Sequence, residues 1–150
     1  DGTTVAERFD LYVSNTSEYR PNNPTRNGKR GNLADFGVIN LADDEICGLE
    51  YAFVDSSSGS KYLVRQPFSF YFFDFDTGGD NLIESLTVCG LESFETSAGL
   101  YGIPTTIIIE TTDVTPAETC TTFTATTQAG GANNPNFLSE VFVPFDRIDN

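Results

Sequence analysis

Asp74, Asp76, Asp80 and Asn81 lie within eight residues, in the run Asp-Phe-Asp-Thr-Gly-Gly-Asp-Asn. Carboxylates this close repel one another unless a cation neutralises them, and hard oxygen donors suit Ca2+. The Asp-x-Asp start resembles a calcium loop, although position 85 is Ser where an EF-hand places its twelfth-position Glu. A structural calcium ion is therefore expected, held by Asp74 and Asp76 with Asp80 or Asn81 assisting. Asn22 and Asn133 are further candidate oxygen donors, because Asn22-Asn23-Pro24 and Asn133-Asn134-Pro135 repeat one tripeptide. The same tripeptide is also good turn chemistry.

Paired carboxylates are equally the material of glycoside hydrolysis, here Asp74, Asp76, Glu84 and Glu92. With 22 acidic residues in 150, such pairs arise by chance, and the sugar-stacking residue Trp is missing. Histidine is absent too, which removes the commonest general base, the Ser-His and Cys-His nucleophiles and His-ligated metals. No enzyme is expected.

The acidic loop needs strands to present it. Along Phe68 to Asp76, alternation would place Phe70, Phe72, Asp74 and Asp76 on one face and Tyr71, Phe73 and Phe75 on the other. A strand apolar on both faces suits a buried central position. Alternation also marks strands near Glu7–Ser14, Phe36–Leu41, Ile46–Val54, Lys61–Arg65, Leu82–Val88 and Leu91–Thr96. Further strands are expected at Thr105–Thr112, Thr121–Thr127 and Ser139–Ile148, while 130–136 reads as a loop. Eleven of the 23 residues from Thr105 to Thr127 are threonine, which favours extended backbone over helix. The expected fold is all-β, a two-sheet antiparallel sandwich of jelly-roll type with about nine or ten strands. One domain over residues 1–150 is expected, with Phe70, Phe72, Phe53, Val54, Phe36 and Ile39 in its core. The chain starts at Asp1 rather than Met, which suggests a processed product or part of a longer chain.

Charge narrows the partners. The net charge of −14 disfavours nucleic acid and anionic membrane surfaces, and the apolar run at Ile107-Ile108-Ile109 is far too short to span a membrane. Four of the eight basic residues, Arg20, Arg26, Lys29 and Arg30, sit in one polar segment between Asn15 and Leu33. They are read as a contact with an acidic neighbouring module or another copy of this chain. Of three cysteines, Cys89 and Cys120 are the favoured pair in an oxidising compartment, since one ends a strand-like run and the other begins one at a turn; the alternative is three buried reduced thiols. Cys47 reads as a core thiol. Asn15-Thr16-Ser17 is an N-glycosylation sequon, compatible with secretion.

Several stretches, in order, resemble a module of secreted and cell-surface proteins of diatoms, other stramenopile algae and dinoflagellates. They are Tyr19-Arg20-Pro21-Asn22-Asn23-Pro24-Thr25-Arg26-Asn27-Gly28, Phe36-Gly37-Val38-Ile39-Asn40-Leu41 and Tyr51-Ala52-Phe53-Val54-Asp55. Phe70 to Asp76, Cys120 to Ala125 and Asn133-Asn134-Pro135 continue the series; similar modules tend to have Asp-Asn-Pro at the last position. The resemblance implies an extracellular β-sandwich module of large multidomain proteins, without known catalysis. The expected function is a structural or adhesive module of a cell-surface, matrix or filament assembly. Its alternative is a calcium-dependent carbohydrate-binding module, in which the 74–81 loop and a tyrosine such as Tyr101 hold a glycan.

Overall fold

The structure, a computed structural model, describes residues 8–30, 36–65, 68–72, 75–96, 105–115, 118–128 and 141–145; the side chains of 29, 30, 36 and 141–145 are outside that description. Among the described residues there are ten strands, two short 3-10 turns and no α-helix. All pairings are antiparallel, as expected for an all-β chain. The strands group into four sheets of two or three strands, where the sequence reading expects two larger sheets. The chain divides into two compact units, residues 1–63 and 64–150.

In the first unit, β1 (Phe9–Asn15) pairs with β4 (Leu49–Asp55) from Phe9↔Asp55 to Asn15↔Leu49. β2 (Gly28–Arg30) pairs with β3 (Phe36–Val38). Phe53 on β4 is buried, as expected, and receives the edge of the Phe9 ring at 5.3 Å; Phe9 also stacks on Tyr62 at 4.9 Å. Val54 is half-buried. Ile39, expected in the core, is 43% exposed. β3 ends at Val38, three residues short of the strand read from the sequence, and Asn40 makes side-chain and backbone hydrogen bonds to Asn23 and Asn27 instead. Phe36 has a side chain outside the described residues. The run expected as a strand from Lys61 makes one bridge, Val54↔Lys61. β2 lies in a segment whose polar composition reads as loop.

The second unit holds β5 (Phe68–Phe72), β6 (Ser85–Cys89), β7 (Glu95–Thr96), β8 (Ile107–Thr115), β9 (Glu118–Ala125) and β10 (Val141–Phe145). One sheet has the order β5-β10-β7 and the other β6-β9-β8. Phe70 and Phe72 stack at 6.1 Å on one face of β5 and are half-buried. Phe75 and Asp76 lie outside β5, and residues 73–74 between them and the strand are outside the described residues.

The centre of this unit is β9. Its inward residues are Thr121, Phe123 and Ala125, while the opposite face carries Thr122 and Thr124 together with Cys120, which is buried. Register sets Ile107 beside Ala125, and both Ile109 and Leu86 beside Phe123. Phe75, Ile107, Phe123 and Ala125 form the buried cluster, with Phe72, Leu86, Val88, Leu91 and Ile109 packed around it. On the outward face, hydroxyls meet across strands: Thr87 and Thr122 at 2.9 Å, Ser85 and Thr124 at 3.4 Å. One strand thus builds a dry face from its even spacing of apolar groups and a wet face from its threonines.

Candidate functional sites

The acidic loop lies between β5 and β6. Thr77 bridges Ile83, the Gly78 N–H donates to the Leu82 carbonyl at 2.9 Å, and a 3-10 turn covers Gly79–Asn81. Asp80 (φ 58) and Asn81 (φ 62) both adopt left-handed backbone, which Asp and Asn tolerate better than other residues with a Cβ. Glu84, named from the sequence only as a possible hydrolytic partner of Asp74 and Asp76, closes the base of the loop. The Asp76 N–H donates to Glu84 Oε2, and the Glu84 N–H to the Asp76 carbonyl, both at 3.2 Å. Asp74 lies outside the described residues. Among those described, no three acidic or cysteine side chains converge as a metal-ligating group. Asn22 is exposed, and Asn133 and Tyr101 lie outside the described residues.

The first Asn-Asn-Pro segment forms a turn, the alternative reading of its sequence. Asn23 caps the 3-10 turn Pro24–Arg26, its Oδ1 accepting from the N–H and hydroxyl of Thr25 at 3.1 and 2.7 Å. A second knot joins this loop to the segment after β3. Tyr19 directs its hydroxyl to the Asn40 carbonyl at 2.6 Å and to Asn27 Oδ1 at 2.9 Å. The Asn40 N–H also donates to Asn27 Oδ1, and the Asn23 N–H to Asn40 Oδ1, both at 2.6 Å. Tyr19, Asn27 and Asn40 were legible only as members of two separate motifs; the fold joins them.

The basic segment is divided by the same loop. Arg20 is held by Glu18 at 2.8 Å and Glu45 at 3.1 Å, hydrogen bonds that raise its pKa further and spend its charge locally. Arg26 is exposed, and Lys29 and Arg30 follow on β2. Asn15, the sequon asparagine, is exposed at the end of β1 and donates to the Ser17 carbonyl at 2.8 Å.

Two further constellations are structural. Cys89 and Cys120 are bonded, as expected, and sit directly opposite each other on β6 and β9. Cys47 is a half-buried free thiol, not a fully buried one. After β4, Asp55 Oδ1 accepts from the N–H and hydroxyl of Ser57 (3.0 and 2.6 Å) and of Ser58 (2.7 and 2.9 Å). These bonds, the Ser57 hydroxyl foremost, lower the Asp55 pKa to about 2.

A depressed carboxylate stabilises the fold above its unfolded value, near 3.9, and loses that contribution as pH falls toward the folded value of about 2. Unfolding titrations of the parent and Asp55→Asn should therefore differ above pH ~4 and converge toward pH ~2. A stability gap between them that stays constant through this window would remove Asp55 from the acid response.

No family model matches this chain, and neither the curated proteins nor the solved structures contain a match.

Proposed function

We propose that this chain is a structural or adhesive module of an extracellular assembly. The observation that supports the reading is the use of its polar groups. Tyr19 with Asn27 and Asn40, Asp55 with Ser57 and Ser58, and Cys89 with Cys120 each close on a loop or an adjoining strand. The disulfide fits an oxidising compartment. An antiparallel chain of ten described strands without an α-helix suits the two-sheet jelly-roll sandwich proposed as its fold.

The charges suggest how copies meet. Residues 1–63 hold six basic and ten acidic residues, and residues 64–150 two and twelve, so the units carry −4 and −10. With Arg20 already paired, Arg26, Lys29 and Arg30 form the segment that would contact an acidic neighbour. Such pairs contribute little individually and are screened by salt, so neighbouring strand or apolar surface is buried with them. Sedimentation of the native assembly should show association that weakens as salt rises. It should be lost when Arg26→Glu, Lys29→Glu and Arg30→Glu are combined. Equal association of parent and variant across the salt range would leave the segment as solvated surface.

Calcium belongs to the same proposal through Asp76, Asp80 and Asn81, with Asp74 completing the set. Binding to the folded state alone would add about 2.7 kcal/mol at an ion concentration of about a hundred dissociation constants. The melting midpoint should rise with calcium and fall with chelator, and Asp76→Asn with Asp80→Asn should remove the difference. A midpoint indifferent to the ion excludes it from the module. Chelator-sensitive binding on a glycan array would instead favour the carbohydrate-binding alternative.

A further inference from the structure

Asn27-Gly28 is the one Asn-Gly pair in the chain. The dipeptide is chemically exceptional, because a glycine nitrogen has no neighbouring Cβ to block its attack on the preceding side chain. In that reaction the Gly28 backbone nitrogen loses its proton and bonds to Asn27 Cγ, while the Cγ–Nδ2 bond breaks and ammonia leaves. Water then opens the resulting succinimide at one of its two carbonyls, giving either aspartate or isoaspartate. No oxidant, reductant or enzyme enters the balance.

The structure opposes the first step. Asn27 Cγ must swing toward the nitrogen of Gly28, but its Oδ1 is held by the Asn40 N–H at 2.6 Å and by the Tyr19 hydroxyl at 2.9 Å. The Asn27 N–H is itself tied to the Pro24 carbonyl at 3.3 Å. The side chain is thus fixed by groups 8 and 13 residues away in sequence, which only the folded unit brings together. Gly28 has φ +99, a backbone that a residue with a Cβ adopts only with strain, so the reactive glycine is also the one the turn into β2 requires.

We propose that Asn27-Gly28 is a conformationally gated modification site, at which opening of the Tyr19–Asn40 clamp releases spontaneous deamidation. The products would differ in consequence. Aspartate keeps an oxygen for the Asn40 N–H. Isoaspartate lengthens the backbone by one carbon immediately before β2 and displaces the Gly28↔Val38 register. Either product adds a negative charge next to Lys29 and Arg30, the segment proposed above to meet an acidic neighbour. The gating itself does not depend on that assembly reading.

The test is peptide mapping with isoaspartate detection after timed incubation at mildly alkaline pH. Three samples are compared: the folded parent, the parent in urea, and folded Tyr19→Phe. Deamidation at Asn27 should be about tenfold or more slower in the folded parent than in urea, the factor a pair of ordered hydrogen bonds can supply. Tyr19→Phe should move the folded rate toward the urea rate. Equal rates for folded and unfolded parent would overturn the proposal, and this comparison stands even if the variant does not fold. A folded Tyr19→Phe protein that deamidates as slowly as the parent would overturn the clamp. In urea, Gly28→Ala should slow the reaction; an unchanged rate there would show that the modification does not proceed through the glycine nitrogen.

Discussion

Replacing Cys89 and Cys120 with serine should lower the unfolding free energy by about 3–4 kcal/mol, the loss expected from opening a closed loop of this size. The bonded cysteines are 31 residues apart, and the segment between them holds the rest of the link from β6 to β9, including β7 and β8. In the unfolded chain the bond forbids most separations of those two ends. In the folded chain the partners are already opposed, because Cys89 and Cys120 are the last pair of the β6–β9 ladder. The Gly90 N–H continues the same contact to the Thr119 carbonyl at 3.0 Å. Urea unfolding in a Cys47→Ser background, with and without reductant, isolates the bond from thiol exchange. A change below about 1 kcal/mol would mean that the unfolded chain is already held compact without it.

Phe123→Ala should cost about 3–5 kcal/mol, the range for removing a fully buried aromatic ring. Phe123 has no exposed surface and lies between Ile109 and Leu86 of the two flanking strands. The Phe94 ring meets it edge-on at 5.2 Å. Truncation removes the transfer term and leaves a cavity that three antiparallel strands cannot collapse without breaking their register. Phe123→Leu, which refills most of that volume, should cost distinctly less. The measurement is the urea midpoint at constant m-value. Equal midpoints for Ala and Leu would show that ring volume does not set the stability of this unit.

Much of the strand content was legible because alternation and β-branching act locally. Thr121 to Ala125 reads as inward and outward residues in turn, and the fold uses it so. The disulfide was legible for a related reason, since Cys89 ends β6 and Cys120 lies near the start of β9, where the antiparallel ladder sets the two opposite each other. The centre of the core was less accessible. Phe75 is buried in the cluster against which Phe72 also packs, although alternation along one strand would set the two on opposite faces. Ile39 shows the reverse: an apolar residue in strand-like sequence left half-exposed once Asn40 turns toward Asn23 and Asn27.

The sequence by itself determined the all-β class, the missing histidine chemistry, the acidic balance and the positions of most strands. These depend on composition and on residues one or two apart, whose preferences survive without any partner. Only tertiary structure decided the tasks of the polar side chains. Asn23 became a turn cap, Glu84 the closure of the acidic loop, Arg20 a local ion pair, and Asn27 the acceptor for groups on two distant segments. A hydrogen-bond donor is committed to whichever acceptor the fold brings within about 3 Å, and that pairing is a property of chain topology rather than of neighbouring letters.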